Sequence, residues 1–125
     1  MKILLADDAK NIVLVLRMSL EKAGYQVLVA RDGLSALELA QTGNPDLILL
    51  DILMPKMNGF LVVEALKDDP VTAEIPVVFI SAKSEEKDLE RAKSLGASDY
   101  LIKPIKQEDL LAVVEKNLKG GNTNG

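Results

Sequence analysis

The chain has 125 residues, 48% hydrophobic and only 3% aromatic, with a net charge of −4. That length suggests one domain with an aliphatic core, burying roughly two-thirds of its unfolded surface. Cys and His are both absent, which excludes a disulfide framework, zinc sites of the usual kind, Ser-His and Cys-His catalysis, and a phosphohistidine of its own.

Lys2 to Asp7 reads as a short buried strand ending in two acids, Asp7 and Asp8. Asn11 to Ala23 has helical spacing, with Gly24 as its stop. Placing Ile12, Val15, Leu16, Ser19 and Leu20 on the inward face leaves Leu14 and Met18 roughly opposite. Tyr25 to Ala30 is a second strand. Gly33 to Gln41 is a short helix with Leu34, Leu37 and Ala40 inward, ended by Gly43-Asn44-Pro45. Asp46-Leu47-Ile48-Leu49-Leu50-Asp51 is a third strand, too short and too branched for a helix. Asn58-Gly59 opens a helix with Phe60, Val63 and Leu66 inward, closed by Asp68-Asp69-Pro70. Pro76 to Ser81 is a fourth strand. Ser84 to Leu95 is a highly charged helix, with Leu89, Ala92 and Leu95 inward and Gly96 as its stop. Ser98 to Ile102 is a fifth strand, followed by Lys103-Pro104, a candidate cis bond that would aim the lysine inward. Gln107 to Leu118 is the last helix, and 119–125 is expected to be a disordered Gly/Asn tail.

Strands alternating with helices through short loops predict one α/β domain over residues 1–118, a doubly wound parallel sheet in the order 2-1-3-4-5 with five helices. Ligands of such sheets lie outside the carboxyl ends of the strands, at the switch point. Here that point falls between the strands ending in Asp7-Asp8 and in Asp51. Taken singly, Asp7 or Asp8 could cap the following helix, and Asp51 could be a loop residue. Together, three carboxylates converge at one edge. Two unit charges ~4 Å apart repel by about 4 kcal/mol at an effective dielectric of ~20. Such a cluster raises a pKa or recruits a cation. Hard oxygen ligands without His or Cys favour Mg²⁺. Lys103 adds a cation and Ser81 a hydroxyl at the neighbouring strand ends. A carboxylate can attack phosphorus to form an aspartyl phosphate, while Mg²⁺, Lys103 and Ser81 would receive the anion.

In order and at this spacing, Ile3-Leu4-Leu5-Ala6-Asp7-Asp8, Asp46 through Pro55, Asn58-Gly59, Ile80-Ser81-Ala82, Gly96-Ala97 and Asp99-Tyr100-Leu101-Ile102-Lys103-Pro104 make the chain resemble the receiver domain of two-component response regulators, over residues 2 to about 118. It is most similar to stand-alone chemotaxis-type and phosphorelay receivers. The resemblance implies that Asp51 is the phosphoacceptor. It implies Mg²⁺ ligated by Asp8, by Asp7 largely through water, by Asp51, and by the backbone carbonyl of Leu53. Ser81 and Tyr100 are implied as the switch pair, and Leu53 and Lys83 stand where the family tunes phosphoryl lifetime.

A partner histidine kinase or His-containing phosphotransfer protein would then donate the phosphoryl group. The face built from the Ser84–Leu95 helix, strand five and the last helix would answer by changing its affinity for a downstream protein target. Leu14 and Met18, beside Pro104 and Ile105, would offer the donor a docking patch. The alternative is a docking module of the same fold that never takes phosphate. An Asp-nucleophile hydrolase wants a second acid where Leu53 stands, and a flavodoxin-like cofactor site wants a phosphate loop where Asp7-Asp8 stand. The expectation is therefore a switch and not an enzyme. The acidic charge argues against direct contact with nucleic acid or anionic lipid. No apolar run reaches ~18 residues, and the early acids are unlike a secretory signal, so no membrane contact and a cytoplasmic setting are expected.

Overall fold

The computed structural model describes residues 1–82 and 85–119. β1 (Lys2–Ala6), β2 (Gln26–Ala30), β3 (Leu47–Asp51), β4 (Val77–Ser81) and β5 (Asp99–Ile102) alternate with α1 (Lys10–Lys22), α2 (Gly33–Thr42), α3 (Gly59–Lys67), α4 (Glu86–Ser94) and α5 (Gln107–Lys119). The sheet is parallel throughout, in the order β2-β1-β3-β4-β5, as the alternation predicts. Each element lies within two residues of its expected bounds. Ser84 lies outside the described residues, and so does the expected tail from 120 onward; Lys119 belongs to α5.

Strand alternation divides the core into two layers. Leu4, Ala6, Ile48, Leu50, Val77 and Phe79 face α2, α3 and α4. Ile3, Leu5, Leu47, Leu49, Val78 and Ile80 face α1 and α5. β3 and β4 are buried on both sides, which is why they read as continuous apolar runs rather than alternating ones.

Two helix faces differ from expectation. In α1 the buried residues are Val13, Leu16 and Leu20, whereas Val15 is 60% exposed. This helix carries apolar residues over more than half of its circumference, so periodicity alone does not set its phase. Packing against the sheet and α5 sets it. In α2 the buried residues include Ala36 and Ala40, while Leu34 is 51% exposed. Small side chains on the inward stripe let α2 lie close to the sheet and α3, which a leucine at that stripe would prevent.

The exposure of Val15 has a direct check. Val13→Ala should cost about 2 kcal/mol in urea unfolding, the ordinary penalty of a truncated core side chain. Val15→Ala should stay within about 0.5 kcal/mol. Equal losses would put Val15 back on the inward face.

Candidate functional site

The register decides what meets at the carboxyl edge. Ala6 pairs with Leu50, so the next residues, Asp7 and Asp51, stand side by side. Asp51 pairs with Ile80, and Ser81 pairs with Ile102. Ser81 therefore lies one step, and Lys103 two steps, beyond the level of Asp51. The Asp7 amide continues the β1–β2 ladder to Ala30 O at 3.1 Å, and the Lys103 amide donates to Ser81 O at 2.8 Å. Backbone pairing thus holds all four positions before any side chain acts. The Lys103–Pro104 bond is cis.

Asp7, Asp8 and Asp51 each bring a carboxylate oxygen within 4.8 Å of the others. Asp7 is fully buried, Asp51 is 5% exposed, and Asp8 is exposed. Lys103 Nζ lies 2.8 Å from Asp7 Oδ2 and 3.5 Å from Asp51 Oδ2. The shorter contact is a charge-assisted one, so buried Asp7 Oδ2 is partnered by the Lys103 ammonium. Its other oxygen accepts from the Ala9 amide at 2.9 Å. Ala9 is the N-cap of α1, and no side chain caps that helix. Asp7 thus takes the N-cap amide with one oxygen and still turns the other to Lys103.

Burial raises the Asp51 pKa to about 6; the Asp7 charge adds to the rise, and Lys103 opposes it. Burial pulls the Lys103 pKa down, but the carboxylates of Asp7 and Asp51 outweigh it and hold it above the ordinary lysine value. Lys103 is thus a fixed cation, and the cluster around it carries more negative charge than it can neutralise. A hard divalent cation fits this donor set: three carboxylates against one ammonium, and no nitrogen or sulfur ligand. Leu53, whose carbonyl was expected among the ligands, lies in the turn directly after Asp51 with its side chain 59% exposed.

Ser81 is 1% exposed. It shares a hydrogen bond with the hydroxyl of half-buried Tyr100. Burial lifts the Tyr100 pKa above its usual value, Ser81 opposes this, and the charges of Asp88 and Asp51 add to it. The Tyr100 ring lies 6.1 Å from that of Phe79, which meets Phe60 edge to face at 5.4 Å. The Arg91 guanidinium of α4 stands 4.5 Å above Phe60. Three of the chain's four aromatics thus form a row from β5 through β4 to α3, capped by Arg91 of α4. Lys83 lies outside the described residues.

The expected site residues Asp7, Asp8, Asp51, Ser81 and Lys103 share one edge, with Leu53 and Tyr100 adjoining. The β3–α3 turn is tied to α2 by the Gly33 amide, which donates to Pro55 O at 3.2 Å, and by Lys56 Nζ at 3.8 Å from Asp32. Sequence reasoning took Gly33 only as a helix start. The available signal was a glycine at the first helical position directly after a capping aspartate.

The model of the response regulator receiver domain matches residues 3–115. Protein PilH of Pseudomonas aeruginosa is 40% identical over 119 residues, covering 95% of this chain and 98% of that protein. Response regulator PleD of Caulobacter vibrioides is 45% identical over 113 residues, covering 90% of this chain but 25% of PleD. This chain therefore spans nearly all of one relative and about a quarter of the other. Chemotaxis protein CheY4 of Vibrio cholerae superimposes with a TM-score of 0.87 at 32% identity, over 92% of this chain and 96% of CheY4.

The raised Asp51 pKa predicts a pH-dependent stability. Between about pH 4 and pH 6 the folded carboxyl, at about 6, keeps a proton that an unfolded aspartate, near 3.9, has lost. Stability without metal should therefore fall as pH rises through that window. Two pKa units correspond to at most about 3 kcal/mol. Solvent at the mouth of the cluster lowers this to roughly 1–2 kcal/mol. At pH 7 without divalent cations, Asp51→Asn should be more stable than the parent by that amount in urea titrations, with the gain fading toward pH 4. Millimolar Mg²⁺ should stabilise the parent and shrink the difference. A less stable Asp51→Asn at pH 7 would mean that the Lys103 attraction dominates the site.

Proposed function

The chain belongs to the response regulator receiver domain family, and on that premise we propose that it is a phosphorylation switch in which Asp51 accepts a phosphoryl group from the phosphohistidine of a partner. The observation that carries this reading is the convergence of three carboxylates within 4.8 Å around the ammonium of Lys103.

Asp7, Asp8, Asp51 and the backbone carbonyl of Leu53 would hold Mg²⁺. When bound, the ion supplies charge neutralisation for the incoming anion. One Asp51 carboxylate oxygen attacks phosphorus. The new O–P bond forms as the imidazole N–P bond breaks, and the electron pair returns to the partner's ring nitrogen. Lys103 pairs with a phosphoryl oxygen through charge-assisted hydrogen bonds. Its raised pKa keeps it protonated throughout. Ser81, already at the level of the site, donates its hydroxyl to another oxygen. Ser81 can then no longer serve the Tyr100 hydroxyl in the same way, and Tyr100 turns to follow it. Since Tyr100 lies on β5 beside α4 and α5, the surface of those elements changes its affinity for a downstream protein target. The change is bounded by the difference in free energy of the two states toward that target.

The chain contains no His, so the donor histidine belongs to a histidine kinase or phosphotransfer protein. On this reading α1 receives it: Leu14 is 59% and Met18 61% exposed. Pro104 and Ile105 line an apolar cleft with Ile12, Val15 and Leu16 at the same end. The protein acts as acceptor and switch in the cytoplasm, with no direct nucleic-acid contact, rather than as a turnover enzyme.

Incubation with Mg²⁺ and acetyl phosphate should add one phosphoryl group by intact mass. The adduct should be absent without Mg²⁺ and absent in Asp51→Asn. No adduct, together with no amide shift at Ser81 or Tyr100 on adding beryllofluoride, would leave only a docking module of the same fold. Charge reversal at Leu14 and Met18 should slow phosphotransfer from the cognate kinase while leaving acetyl phosphate labelling unchanged. Equal slowing of both would remove α1 as the docking surface.

A further inference from the structure

The turn that follows the phosphoacceptor is closed in by two glycines from two different helices. On the α3 side, a Cβ on Gly59 would stand 2.5 Å from the Asp51 carbonyl oxygen and 2.9 Å from Ile52 Cα. The Gly59 amide donates to Ile52 O at 2.8 Å. On the α2 side, a Cβ on Gly33 would fall 1.9 Å from the Met57 carbonyl oxygen and 2.6 Å from Met57 Cβ. The obstruction at both positions is largely backbone, which cannot swing aside as the end of a long side chain can. Between these contacts lie Leu53, Met54, Pro55 and Lys56.

We propose that Gly33, remote in sequence from every acid of the site, is a positioning residue for Mg²⁺ binding. Its missing side chain lets α2 sit flush on the 52–57 turn and so fixes where the Leu53 carbonyl stands relative to Asp51. The inference rests on the functional reading above, in which that carbonyl is a ligand.

Three observations carry it. Gly33 is buried at the first helical position of α2, directly after the Asp32 cap, whose Oδ1 accepts from the Ser35 amide at 2.8 Å. Its conformation is an ordinary one, because the positive-φ glycines are Gly24 and Gly96. Space, and not backbone freedom, is therefore what a glycine provides there. Second, α2 is the firmer of the two partners. Ala36 and Ala40 anchor it in the core, whereas the turn is held there by Met54 and half-buried Met57, with Leu53, Pro55 and Lys56 exposed. A methyl group on Gly33 would move the turn before it moved the helix. Third, the turn already leans on α2 for its shape. The Gly33 amide donates to Pro55 O at 3.2 Å, and Lys56, held at φ 70°, sets its ammonium 3.8 Å from Asp32. Mg²⁺ demands near-ideal octahedral geometry at ~2.0–2.1 Å. A carbonyl displaced by the shift that an added Cβ requires would serve it poorly.

A glycine in a helix is ordinarily less stable than alanine by roughly 0.5–1 kcal/mol. Without the contact to Met57, Gly33→Ala would therefore stabilise the protein. The experiment compares Gly33→Ala with Gly96→Ala, a strained position at φ 92° far from the turn. Mg²⁺ affinity is measured by calorimetry and stability by urea unfolding. Both variants should lose stability. Only Gly33→Ala should lose Mg²⁺ affinity, by about tenfold, the low end for residues that orient ligands without touching the metal. Its metal-free amide shifts should concentrate in residues 52–57, and acetyl phosphate labelling should recover at high Mg²⁺. If Gly33→Ala does not fold, Asp32→Ala, which removes both the α2 cap and the partner of Lys56, is read in the same titration with the same expected loss. Parental Mg²⁺ affinity in the variant overturns the inference alone. A parent protein that ignores Mg²⁺ overturns the functional reading, and this inference with it.

Discussion

Everything at the carboxyl edge depends on one electrostatic imbalance. Three carboxylates are held close together and one ammonium is held among them, so the cluster is short of positive charge. The backbone enforces this arrangement. Asp7 and Asp51 end adjacent strands in matched register, and neither can retreat without breaking the ladder. The consequences follow directly: an Asp51 whose pKa is lifted to about 6, and a lysine that stays charged between two carboxylates. A site built this way is unstable alone and welcomes a divalent cation. On the function proposed above, the same charges with the cation in place would receive a phosphoryl group.

The rest of the fold transmits a change in that balance. Ser81 lies one step beyond the level of Asp51 on the neighbouring strand, and its hydrogen bond to Tyr100 connects the site to the outer face of β5. The row of rings from Tyr100 through Phe79 to Phe60, ending under Arg91, brings large directional contacts into a largely aliphatic core. Aliphatic layers tolerate small shifts, whereas edge-to-face rings and a cation above a ring prefer particular arrangements. On the proposed switch, a rearrangement of Tyr100 would therefore reach α4 through these contacts. On the opposite side of the sheet, α1 presents exposed apolar residues beside Pro104 and Ile105, apart from this row of rings.

The sequence by itself determined the layout. Apolar runs of β type, separated by helices with clear stops, allow one parallel doubly wound sheet. Right-handed crossovers then place Asp7, Asp8 and Asp51 at its switch point, because side-chain alternation and connection handedness are local rules. Ser81 and Lys103 were legible for the same reason: each ends a strand. The tertiary structure alone decided the phase of α1, where Val13 and not Val15 turns inward, and that of α2, where alanines displace Leu34 from the core. Both helices offer more apolar surface than the sheet can cover, so the choice lies in packing density and not in periodicity. It alone decided that a lysine would sit 2.8 Å from Asp7, and that Gly33 would press against Met57. Such contacts join residues distant along the chain, and no pattern within either segment encodes the distance between them.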